Sequence, residues 1–84
     1  MSVDSLRDHI ARALAEGRLP RDRPIRVTHP QGNGGRCEAC GGPIPPAEPE
    51  YRLRFLSATW APYDLALHGL CHAIWDQERR RRAA

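Results

Sequence analysis

The feature that most constrains this chain is the placement of three cysteines and one histidine: Cys37, Cys40, His68 and Cys71, spaced C-x2-C-x27-H-x2-C. Three cysteines cannot close a secreted disulfide framework without leaving one thiol over. Cys37-Glu38-Ala39-Cys40 is followed directly by Gly41-Gly42, residues that accept positive φ and let the chain reverse over a bound ion. His68 and Cys71 stand at i and i+3, a spacing that puts both on one face of a helix. Each half offers two donors, and a tetrahedral zinc site takes four Cys or His ligands. The spacing therefore predicts one structural Zn2+ held by Cys37, Cys40, His68 and Cys71.

Two other readings compete for these residues. A redox dithiol of the thioredoxin kind opens a helix, whose N-terminus lowers the thiol pKa. Cys40-Gly41-Gly42-Pro43 does not open one. His72, four residues after His68, could replace Cys71 in a Cys2His2 set. The 27-residue interval is far longer than the ~12–15 of that finger type, and a thiolate is the softer ligand. His9 and His29 are assigned no role. A shell of four protein ligands leaves no position for a reactive water, so hydrolytic zinc chemistry is not expected, and the chain reads as a non-enzyme.

A metal would meet a need that composition exposes. The chain has 84 residues, 40% of them hydrophobic, and a mean hydropathy of −0.62. A core this small is thin, and structural zinc supplies ~10–16 kcal/mol of apparent binding free energy. The whole chain, 1–84, reads as one small α+β domain. Over 4–17, Leu6, Ile10, Ala13 and Leu14 mark one helical face, with Asp4 or Ser5 as the N-cap and Gly17 ending it. The segment 18–36 carries Pro20, Pro24 and Pro30 among arginines, then the run Gln31–Arg36, read as a connector with a short strand near Ile25–Val27 and a flexible Gly-rich loop. No Gly-Lys-Ser/Thr follows that loop, so it is not a phosphate-binding P-loop. In the half from 37 to 82, Tyr51, Leu53 and Phe55 alternate with Arg52, Arg54 and Leu56 as a half-buried strand. A return strand runs toward Leu67, and a last helix groups Leu67, Leu70, Cys71, Ile74 and Trp75.

From Arg36 to Glu78 the chain resembles the treble-clef zinc fingers found in small bacterial zinc-binding proteins. Cys37-x2-Cys40-Gly-Gly-Pro-Ile looks like the knuckle of that architecture. The strand at 51–56 with its return looks like the hairpin, and Leu67-His68-Gly69-Leu70-Cys71-x3-Trp75 looks like the helix start that closes the site. The resemblance implies a zinc knuckle, a β-hairpin and a helix, with the helix at 4–17 packed on them. It implies no particular job, because one fold hosts many.

All 13 basic residues are arginine, against 10 acids, for a net charge of +3. A GC-rich genome accounts for that choice as readily as function does, although arginine is also the better phosphate ligand. Arg52 and Arg54 on a strand and Arg79, Arg80, Arg81 and Arg82 at the end of the last helix are the candidate nucleic-acid contacts. Arg18, Arg21, Arg23 and Arg26 crowd the connector. Trp60 and Tyr63 are the candidate anchors for the competing reading, a protein-interaction adaptor in which zinc is purely structural. The expectation is a non-catalytic binding protein, nucleic acid being favoured over a protein partner. No small-molecule substrate is expected, no apolar run suits a membrane, and the charged segment 1–17 does not resemble a secretion signal, which places the chain in a reducing cytoplasm.

Overall fold

The computed structural model describes residues 2–83, with side chains described to Arg81. The first helix, α1, spans Val3–Ala15. Its N-cap is Ser2, whose hydroxyl accepts from the Ser5 amide, so the helix starts earlier than Asp4 or Ser5 as cap would have it. At its other end Gly17 takes φ 78°. The Gly17 amide donates to Leu14 and the Arg18 amide to Ala13. Those two bonds form a Schellman ending, which needs a left-handed residue after the cap. Leu6, Ile10, Ala13 and Leu14 are all buried, as their helical spacing requires.

Three antiparallel strands follow: β1 at Arg26–Thr28, β2 at Tyr51–Leu56 and β3 at Pro62–Leu67, in the order β1-β2-β3. The sheet is thus one strand larger than a hairpin, because β1 pairs with β2 through Val27 opposite Leu53. Helix α2 spans Gly69–Ala83. Leu67 ends β3 rather than beginning the helix, and its side chain is buried from that position. Leu70, expected on the buried helical face, is 54% exposed.

Alternation along β2 divides the sheet into two faces. Leu53, Phe55 and Leu67 point into a continuous core shared with Leu6, Ile10 and Leu14 of α1 and Ile74 and Trp75 of α2. Trp75 is almost fully enclosed and packs edge-on to Phe55. Its indole N–H donates to the Pro20 carbonyl at 2.9 Å, so this buried polar group is satisfied by the connector. Arg26, Arg54 and Asp64 form one cross-strand row on the outer face, and Thr28, Arg52 and Ala66 the next.

The Gly-rich run at 31–36 is not a flexible loop. It pairs with 43–49 through bridges at Gln31–Pro49 and Arg36–Pro43. The Gly32 amide donates to Glu48, the Gly34 amide to Ile44, and the Ile44 amide to Gly35. At Gly32 an added Cβ would collide with the carbonyl oxygens of Pro45, Glu48 and Ile44. Glycine is needed there for close approach of two backbones, not for mobility.

Candidate metal centre

The ribbon of 31–36 against 43–49 presents the first two donors. Between its Arg36–Pro43 bridge the chain turns tightly: the Gly41 amide donates to the Cys37 carbonyl and the Cys37 amide to the Gly42 carbonyl. Gly41 takes φ 78°, the left-handed conformation expected where the knuckle reverses. The second pair comes from the junction of β3 and α2. His68 lies between the two elements and Cys71 in the first turn of the helix.

The four donor atoms, Sγ of Cys37, Cys40 and Cys71 and a ring nitrogen of His68, all lie within 4.8 Å of one another. The His68 Nδ1 is 3.3 Å from Cys40 Sγ and 3.9 Å from Cys71 Sγ. Donors about 2.0–2.3 Å from a tetrahedral zinc stand about 3.5–3.8 Å apart, so the donor set and its spacing fit that ion. His72 is outside the cluster. Its ring stacks on Tyr51 at 4.8 Å and tilts against Trp75.

Hydrogen bonds around the cluster orient its members. The His68 Nε2 is 2.8 Å from the Pro43 carbonyl. That oxygen can only accept, which makes Nε2 the protonated nitrogen and leaves the Nδ1 lone pair facing the sulfurs. The His68 amide donates to Cys37 Sγ and the Gly42 amide to Cys40 Sγ, each at 3.4 Å. Such bonds favour thiolates over thiols. The thiol of Cys71, outweighing burial together with the amides of Cys40, His68 and Ala39, lowers Cys37 to about 4. Cys71 is pushed up by the same bond to Cys37, by burial and by its charged neighbours. Burial lowers His68, but the Pro43 carbonyl and the Cys37 sulfur outweigh it and the net direction is upward. A divalent cation among these donors would stabilise the thiolates and displace any thiol proton. Cys37 and Cys71 are buried, and Cys40, His68 and Cys71 border an apolar cleft of about 570 Å³ with Leu6, Tyr51 and Leu70 in its wall.

The arginines divide into distinct environments. Arg54 forms a two-pronged pair with Asp64, whose carboxyl is held below its usual range chiefly by that bond. Arg52 reaches back to the buried Glu50. Arg79 lies over the Trp75 ring and pairs with Asp76, as Arg80 does. Arg81 turns toward α1, where it shares Glu78 with Arg7. The side chain of Arg82 lies outside the described residues. Arg18 pairs with Glu16 and Arg21 donates to the Leu14 carbonyl.

The spatial relation that single segments could not reveal centres on Arg26. It borders a cleft of about 180 Å³ on the outer sheet face, with Thr28, Arg52, Arg54 and Asp64. It also borders a groove of about 330 Å³ between β1 and α2, with Arg23, Arg79, Arg80 and Asp76. Neither Arg23 nor Arg26 belongs to an ion pair among the described residues. The crowding of Arg18, Arg21, Arg23 and Arg26 in the connector and the short strand near Ile25–Val27 were the sequence signals for it. No protein-family model, curated protein or solved structure matches this chain.

Proposed function

We propose that the chain is a non-catalytic, zinc-stabilised nucleic-acid-binding protein of the treble-clef kind. Zinc is structural in this reading. Four donors complete its shell and would tie the knuckle to the β3–α2 junction. The order of knuckle, β-hairpin and helix, with donors from the first and last, supports the treble-clef assignment.

The observation that carries the binding reading is the convergence on β1. Arginines from the connector (Arg23, Arg26), the middle strand (Arg52, Arg54) and the last helix (Arg79, Arg80) border two adjoining clefts that share Arg26. Asp64 and Asp76 are the acids bordering the same clefts, and Glu50 offsets Arg52 from beneath. A positive band of this kind suits a phosphate backbone, whose affinity is dominated by arginine contacts and falls with salt. Arg23 and Arg26, having no carboxylate to release, are the least costly to engage.

Titration of the zinc-loaded chain with DNA and RNA at low salt tests the proposal. Binding should weaken steeply with added salt, and replacing Arg23 and Arg26 by Ser should flatten that dependence by about two units of slope at most. Absence of binding to either polymer near 10⁻⁴ M, roughly the weak end of non-specific affinity, refutes it.

A further inference from the structure

Beyond the arginine band, the chain carries a feature that phosphate binding does not explain. The turn between β2 and β3 is built on Ser57. Its amide donates to the Ala61 carbonyl, its carbonyl accepts from the Trp60 amide, and its hydroxyl accepts from the amides of Thr59 and Ala61. This is the pattern of a hairpin turn closed by a residue in the left-handed region, a position glycine usually fills. Here it is filled by Trp60, at φ 65°. Bulky residues seldom adopt that conformation.

The turn's hydrogen bonds would form with glycine at this position as well, so they do not account for a tryptophan there. The Trp60 side chain is 78% exposed, and its ring meets no aromatic partner among the described residues. A backbone outlier that also exposes the largest apolar side chain is an observation from which function is properly inferred. Leu56 and Tyr63, both more than a third exposed, flank the same turn. The next outer row behind Leu56 and Pro62 is the Arg54–Asp64 row of the cationic face. Side chains on one face of a strand recur about every 6.8 Å, so the turn that carries Trp60 begins just beyond the Leu56–Pro62 row, the neighbour of the Arg54–Asp64 row.

We infer that Trp60 is a stacking finger for an unpaired base, and that it makes the arginine band favour single-stranded over duplex nucleic acid. The inference rests on the binding reading above. Arginines on phosphates serve both forms, whereas a protruding ring needs a base whose face is open. In a duplex those faces are covered by neighbouring pairs. In a single strand they are available, and an aromatic platform beside a positive groove is the combination that holds them. The charge of the adjoining rows favours this occupant over an apolar pocket on another protein.

The test uses the zinc-loaded full chain with an oligothymidine of about 20 nucleotides, long enough for one small domain, and a duplex of the same length. Because Trp75 is only 1% exposed, acrylamide quenching of tryptophan emission reads Trp60. The single strand should shield Trp60 from acrylamide. Trp60→Ala should lower its affinity roughly 5- to 150-fold, the range stacking on one aromatic provides. Trp60→Phe should retain most of it, and duplex affinity should be unchanged in both variants. Zinc content and circular dichroism verify that each variant is folded. Equal losses for single strand and duplex, unchanged affinity in Trp60→Ala, or undiminished quenching of the bound protein would each overturn the finger while leaving the band intact. If neither form binds the unaltered protein, the band reading falls and the finger with it, and Trp60 passes to a protein partner.

Discussion

If zinc joins the knuckle to the β3–α2 junction, the melting temperature should follow free zinc concentration with a slope set by the size of the chain. In the folded state all four donors lie within 4.8 Å. In the unfolded chain the Cys37–Cys40 and His68–Cys71 pairs are separated by 27 residues, so at most two donors meet an ion readily. A ligand that binds the folded state alone stabilises it by about 1.4 kcal/mol for each tenfold rise in concentration above Kd. For domains of this length, 1 kcal/mol moves the melting temperature by about 4–8 °C. The product is roughly 5–11 °C per decade of free zinc. Thermal unfolding followed by circular dichroism in metal-buffered solutions covering about three decades above Kd would measure it. A melting temperature indifferent to zinc across that range would refute the reasoning, as would a chelated protein that melts cooperatively at the zinc-loaded temperature.

Cys37→Ser or Cys40→Ser should abolish stoichiometric zinc binding, measured by metal analysis, and collapse the C-terminal half. His72→Phe should retain about one equivalent of zinc, because that ring stacks on Tyr51 rather than joining the cluster. Burial holds the His72 pKa below 6.5, so the folded state resists its protonation. Stability is lost as pH falls below 6.5 and on toward the depressed value, and the Phe variant should lack that component of acid sensitivity in urea denaturation. Gly32→Ala, which drives a methyl into three backbone carbonyls, should cost roughly 2–3 kcal/mol in the zinc-loaded protein. Gly35→Ala, which meets only the Asn33 side chain, should cost much less by the same assay. Asp64→Asn removes the acid of the outer sheet face and should tighten nucleic-acid binding a few-fold at low salt, the gain fading as salt is added.

The parts of this fold legible in sequence are those governed by local rules. Leu6, Ile10, Ala13 and Leu14 marked the face α1 buries. Alternation from Tyr51 to Leu56 marked β2 to its observed bounds. The cysteine spacing marked the cluster because metal ligation needs donor types and turn glycines that few other demands impose. Leu67 misled because it is apolar at a strand's end, one residue before His68, so strand and helix patterns both claim it. Leu70 then inherited a helical phase in which it faces solvent. The order of the Gly-rich run was hidden because its partner is rich in proline. Such a pair has few cross-strand bonds and no period-two signature. The arginine band was hidden for a different reason. Arg23, Arg54 and Arg80 are remote in sequence, and only the pairing of β1 with β2 and the seating of α2 bring them to one region.

The ion pair of Glu78 with Arg7 and Arg81 bears on how far the half that carries the Cys37, Cys40, His68 and Cys71 cluster can be treated as portable. Glu78 sits in the last helix yet is 5% exposed, because α1 covers it and supplies one of its two cations. Excising residues 36–83 for use as a cassette would remove Arg7, strip the cover from Ile74 and Trp75, and take away the Pro20 carbonyl that receives the indole N–H. A carboxylate that loses one partner of a buried pair destabilises far more than a pair that was never there. Grafting experiments should therefore carry the first twenty residues along with the knuckle.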